Sequence, residues 1–233
     1  MTKPSRPART APRWLPVTLL GLGVAAALSA VVPDLGAAPP VPSYGVATES
    51  PGATREASRV LAAGGNAFDA AVCAALVAGF TAPSSSGIGG GGFAMVWSAR
   101  DKKPYVIDFR ETAPAAIDAA VLDQRPVPPE KRGQTVGVPG EVAGLFELHQ
   151  RFGKLAWRDV VTRAATLSAR GFATEPHTSV QIADQQQALL ARSPHFRSVY
   201  LPGGSAAKLG VQLRSPRLSK TLTVPSGRTR ASC

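Results

Sequence analysis

The chain has 233 residues, 44% of them hydrophobic, and a formal net charge of +11. That length suffices for one globular domain with a core, and the charge would ordinarily raise nucleic acid or an anionic membrane as a partner. Its placement removes that reading, because Lys3, Arg6, Arg9 and Arg13 at one end and Lys208, Arg214, Arg217, Lys220, Arg228 and Arg230 at the other carry +10 of it with no acid among them. The stretch between holds 16 basic and 15 acidic residues, a near-neutral body suited to small molecules, and no nucleic-acid partner is expected.

In chain order, residues 1–32 read as an export signal or amino-terminal anchor. Four basic residues precede an uncharged run from Trp14 to Pro33, with Leu19, Leu20, Leu22 and Val24, and Ala27 with Ser29 satisfy the small-residue rule for cleavage after Ser29. Residues 33–43, with Pro33, Pro39, Pro40 and Pro42, read as an extended tether. At Ser50 the pattern turns helical: serine can cap, Pro51 suits the first turn, Ala57, Val60 and Leu61 share a face, and Gly64-Gly65 ends it. Asn66 can cap a second helix with Asp69 near its positive end, and Ala70 to Val77 make that helix apolar nearly all round, so it must be buried. Cys73 lies on it as a small buried hydrophobe, and no disulfide with Cys233 is expected. Two apolar runs, Phe93 to Trp97 and Tyr105 to Phe109, flank a polar turn at Arg100 to Lys103 and predict a hairpin. Helices follow at Glu141 to Phe152, closed by Gly153, at Trp157 to Ala169, closed by Gly171, and at His177 to Arg192.

The order helix, helix, strand, strand, helices implies a layered α+β body. A lone hairpin is marginal, so a third and a fourth strand are expected from elsewhere. The tract Gly87-Ile88-Gly89-Gly90-Gly91-Gly92 satisfies the dinucleotide fingerprint in letters but follows a helix and leads into a strand, the reverse of what that fingerprint needs. It reads as a tight turn using the positive φ and close approach that glycine allows, or as a nest of amides near a site. His149, His177 and His195 are read as solvated or structural on surface-like helices and loops, and no metal or other cofactor is implied. Arg110 stands out at the end of an apolar strand, in Asp108-Phe109-Arg110-Glu111-Thr112-Ala113-Pro114. Its planar fork can grip a carboxylate through two hydrogen bonds; from the residues alone, a structural ion pair with Asp108 or Glu111 is an equal alternative.

Four segments, Gly64 to Ala71, Ser85 to Phe93, Asp108 to Pro114 and Val136 to Gly144, resemble γ-glutamyltranspeptidases in order and spacing. The resemblance runs from about Tyr44 to Leu222, which makes residues 44–222 a partial large-subunit domain and 223–233 an unrelated tail. It implies an exported precursor that cuts itself into two subunits, a partial αββα sandwich of the amino-terminal nucleophile hydrolase type, and glutathione-type γ-glutamyl compounds as substrates. Acyl transfer by the family's small-subunit threonine to water, an amino acid or a peptide is implied as well. Arg110 falls where the family's arginine grips the substrate α-carboxylate. Ala82 and Ser84 stand where an acid and a histidine or glutamine are usual. No catalytic residue is expected within this chain, which on this reading is inactive alone and would need a complementing small-subunit region. The alternatives are a cephalosporin-type acylase fragment and a non-catalytic exported module that binds amino acids.

Overall fold

Two side-chain caps start the first two helices of the structure, a computed structural model that describes residues 43–227 apart from 122, 124, 125 and 193. The expected export signal, its cleavage after Ser29, residues 33–42 of the tether and the tail beyond Gly227 lie outside the described residues. Helix α1 is Pro51–Ala62. Its cap, the Ser50 hydroxyl, accepts from Ala53 N at 3.1 Å and donates to Glu175 Oε2 at 2.8 Å, so one residue both starts the helix and ties it to a distant segment. Helix α2 is Ala67–Thr81, opened by a reciprocal capping box in which Asn66 Oδ1 accepts from Phe68 N and Asp69 N while Asp69 Oδ2 accepts from Asn66 N.

Helix α2 forms the centre of the core. Val72, Cys73, Leu76, Val77 and Phe80 are buried on it, as expected of a helix apolar on every side. The next two helices are α3, Glu141–Phe152, and α4, Trp157–Arg170; with α1 they pack against α2. Helix α4 ends at Gly171 with φ +93°, a backbone state that glycine adopts without the Cβ clash other residues meet.

The hairpin pairs β1, Phe93–Ser98, with β2, Lys103–Asp108, antiparallel, Met95 facing Val106 and Val96 facing Tyr105. Alternation splits it into two faces. Ala94, Val96 and Ile107 turn to the helices, while Phe93, Met95, Trp97 and Val106 lie exposed on the other side, Met95 at 82%. The expected further strands do not join this sheet among the described residues. Instead β3, Phe172–Ala173, and β4, Gln212–Leu213, form a separate two-residue pair beside the helices, and beyond the hairpin an isolated antiparallel bridge joins Thr112 to Val138. The body is thus mixed α and β with few strands.

The expected polar helix is α5, Pro176–Arg192; α6, Pro194–Tyr200, and α7, Pro216–Gly227, were not foreseen. Helix α7 packs on α4 and continues past Leu222. A buried polar network joins the start of α5 to the first two helices. Glu175 Oε1 accepts from Gly52 N, Ser50 Oγ lies 2.6 Å from Thr81 Oγ1, and Thr178 Oγ1 donates to the Thr81 carbonyl.

A second network closes on Asp69, which is wholly buried. Its carboxylate accepts from the amides of Asn66, Lys154 and Leu155, and Asn66 Nδ2 donates to the Phe152 carbonyl at 2.7 Å. His149 is part of it and corrects the surface reading: it is only 6% exposed, its Nε2 donates to Leu155 O at 2.9 Å, and its ring meets Trp157 edge-on. The structural role expected of a histidine holds here, in the core rather than at the surface. Each hydrogen bond to a buried charge contributes about 1.5–3 kcal/mol, and its loss strands main-chain donors away from water. Asp69→Ala is therefore expected to destabilise the fold by about 3–5 kcal/mol, and Asp69→Asn by less, as urea unfolding followed by circular dichroism would show.

Candidate substrate-binding site

Arg110 leaves the end of β2 into a cavity of about 390 Å³ lined by Ser85, Ser86, Gly87, Gly89–Gly91, Arg110, Glu111 and Glu141. Three of the four motif segments meet there. The hairpin is prolonged by one rung, Phe109 N to Gly92 O at 3.0 Å and Gly92 N to Phe109 O at 3.3 Å, which fixes the glycine tract alongside Arg110. On the other side Gly90 O accepts from both Gly140 N and Glu141 N at 3.0 Å, so the same tract receives the first turn of α3. The Thr112–Val138 bridge closes the third edge.

Close packing explains Gly91, Gly140 and Gly144. A Cβ on Gly91 or Gly140 would overlap the Phe109 carbonyl oxygen, and one on Gly144 would overlap the Phe109 side chain. The expected positive φ is absent, because no glycine from Gly87 to Gly92 adopts it. Close approach accounts for Gly91 and, against the Phe109 ring, for Gly92, while a Cβ at Gly87 or Gly89 would meet nothing within 4 Å. With the Gly90 and Gly92 amides already donating to protein carbonyls, a nest built from the whole run is not available either.

The alternatives left open for Arg110 resolve into a specific geometry. Asp108 does not pair with its guanidinium; Asp108 Oδ1 accepts the Arg110 backbone N–H at 3.0 Å. Glu111 does approach, Oε2 to Nη2 at 3.4 Å, yet Glu111 Oε2 accepts no hydrogen bond. The fork is steadied by a neighbouring charge without being consumed by it, and Arg110 remains 57% exposed toward the cavity. A surface pair of this kind contributes at most about 1 kcal/mol, less than the two charge-assisted bonds a carboxylate ligand would form.

Sequence reasoning missed Glu141. It is buried at the start of α3, and burial first, then the charge of Glu111, pushes its carboxyl above the usual range. An acid opening a helix is ordinarily read as a dipole partner, so only the fold shows that it faces a second carboxylate. Among the other reactive groups, Cys73 is fully buried and burial raises its thiol to about 12, which removes it as a nucleophile at neutral pH. Ala82 is buried at the end of α2 and Ser84 is exposed. His177 lies on α5 and His195 on α6, and neither lines this cavity. Among the described residues no group of three or more His, Cys, Asp or Glu could hold a metal ion, and no helix is long and apolar enough to cross a membrane.

A raised carboxyl favours the folded state below the unfolded value and loses that contribution as pH rises through the folded one. Glu141→Gln is therefore expected to raise Tm near pH 7 relative to the parent while leaving it almost unchanged near pH 4, which melting curves at the two pH values check.

A family model described as Gamma-glutamyltranspeptidase matches residues 53–225. Glutathione hydrolase 7 of Bos taurus is 40% identical over 179 residues, 77% of this chain and 26% of that protein. The glutathione hydrolase proenzyme of Bacillus subtilis is 37% identical over 182 residues, covering 76% of this chain and 31% of the relative. Among solved structures, the γ-glutamyltranspeptidase of Pseudomonas nitroreducens complexed with L-DON superposes with a TM-score of 0.68 at 32% identity, over 81% of this chain and 56% of that one. The chain spans roughly a quarter to a third of the length of these curated relatives.

Proposed function

This chain belongs to the γ-glutamyltranspeptidase family, and from that premise we propose that it supplies the carboxylate-gripping part of an exported enzyme that transfers γ-glutamyl groups from glutathione-type compounds. The observation that carries the reading is the fork of Arg110, half exposed and paired only loosely with Glu111, over a cavity floored by glycine backbone. A guanidinium held there matches the two oxygens of a substrate α-carboxylate, and the nearby main chain leaves room for the rest of the amino-acid head.

In this reading Arg110 binds and orients, and the bond-breaking group comes from a small-subunit region. There the hydroxyl of an amino-terminal threonine attacks the γ-carbonyl with its own α-amine as base, the amide C–N bond breaks and the leaving amine takes up that proton, and the acyl group then passes from the threonine to water, an amino acid or a peptide. The exposed hairpin face supports the corresponding architecture. Phe93, Met95, Trp97 and Val106 form an apolar face of a kind monomeric proteins seldom leave in water, and a second sheet packed on it would complete an αββα sandwich of which residues 44–222 form one part. Export through residues 1–32 and a tether at 33–43 belong to the same proposal, with 223–233 as a tail.

The 233-residue polypeptide alone is expected to release no aniline from a γ-glutamyl anilide above the buffer rate. In a polypeptide continued to the length of its relatives, Arg110→Lys is expected to lower kcat/KM by about a hundredfold, chiefly through KM, with Tm unchanged. The estimate takes about 3 kcal/mol for the lost bidentate contact. A lysine variant with near-normal KM would reduce Arg110 to the partner of Glu111.

A further inference from the structure

Four arginines of the near-neutral body and one from the basic end meet on one surface. A cavity of about 400 Å³ between α1, the end of α4 and the β3–β4 pair is lined by Arg55, Arg59, Arg170 and Arg214, with Glu56 the one acid among its lining residues. Glu56, Arg59, Leu167 and Arg170 also line a neighbouring cavity of about 250 Å³ to which Arg163 contributes, so the two form one cleft. None of these residues lines the Arg110 cavity.

The acids present are already engaged. Glu56 lies between Arg59 at 2.5 Å and Arg170 at 3.8 Å. Glu175, behind Arg55 at 3.8 Å, also accepts from Gly52 N and Ser50 Oγ. That leaves five guanidinium groups against two carboxylates, and among the described residues neither Arg163 nor Arg214 has an acidic partner within 4.0 Å. Arg214 is placed by the fold. Its Cγ and Nε lie over Gly171, where a Cβ would come within 2.6 Å of Arg214 Cγ, so the positive φ that ends α4 also makes the space for this side chain.

We propose that this cleft is a binding site for a small polyanion carrying two or more phosphate or carboxylate groups. Planar forks on α1, on α4 and just after β4 can each take a pair of anionic oxygens, and gathering like charges costs the free protein energy that a multivalent anion recovers. The lining carries no aromatic ring but Phe172, which is buried, so the recognition is of charge and not of a base.

The test is titration calorimetry of the full 233-residue chain at low ionic strength with inorganic pyrophosphate, and with citrate to separate phosphate from carboxylate sources. Saturable one-to-one binding of either anion is expected, weakened at least about tenfold by Arg214→Gln and by Arg59→Gln, and unchanged by Arg100→Gln, which removes one exposed charge outside both cavities; one charge-assisted bond is sufficient for that factor. Both arginines are exposed or largely so, and melting curves confirm that the variants fold. No saturable binding of either anion, binding that survives both cleft variants, or binding abolished by Arg100→Gln would overturn the proposal.

Discussion

Phe109 is the residue on which the site depends. Its carbonyl is approached by the backbone of Gly91 and of Gly140 so closely that neither could carry a Cβ, and its ring fills the space that a side chain at Gly144 would need. The next residue is Arg110, so the point from which its side chain starts is set by packing of main chain on main chain, and Glu111 at 3.4 Å steadies the guanidinium at its end. Such packing has few alternative arrangements. A flexible four-bond side chain thereby starts from a fixed point at the cavity mouth, which would lower the entropy lost on gripping the proposed carboxylate.

Helix α3 transmits this constraint to the core. Its first turn hangs from the Gly90 carbonyl, and the chain just beyond its last residue is held by Asn66 and Asp69. The same two side chains cap α2, so one buried carboxylate starts the central helix and anchors the strut that closes the site. The first motif segment, Gly64 to Ala71, therefore contributes nothing to the cavity lining and yet determines where that lining stands.

Local grammar made much of this legible. Ser50-Pro51 and Asn66 with Asp69 announced their helices because capping chemistry is written within four residues, and the hairpin was readable from two apolar runs around a polar turn. The same grammar was present at Ser215-Pro216, where the serine hydroxyl accepts from Leu218 N at 3.3 Å, and went unread. The pair β3–β4 offers no periodicity to detect, since each strand has two residues. His149 was misplaced because its burial comes from Trp157 and Leu155 on the following segment, not from the pattern of its own helix. The approach of Glu141 to Glu111, and the gathering of Arg55, Arg163 and Arg214 from distant segments, are likewise tertiary facts. The family resemblance named Arg110, but only the geometry shows that Asp108 and Glu111 leave its fork available.

That availability is the centre of the account, and substrate chemistry can interrogate it without disturbing the fold. The measurement is a cycle in a polypeptide continued to family length. It compares kcat/KM for a γ-glutamyl anilide and for its analogue lacking the α-carboxylate, each with arginine and with glutamine at 110. If the fork grips that carboxylate, the parent prefers the complete substrate by about a hundredfold or more, and Arg110→Gln removes most of the preference by slowing only the complete substrate. Equal preference in parent and variant would contradict the account.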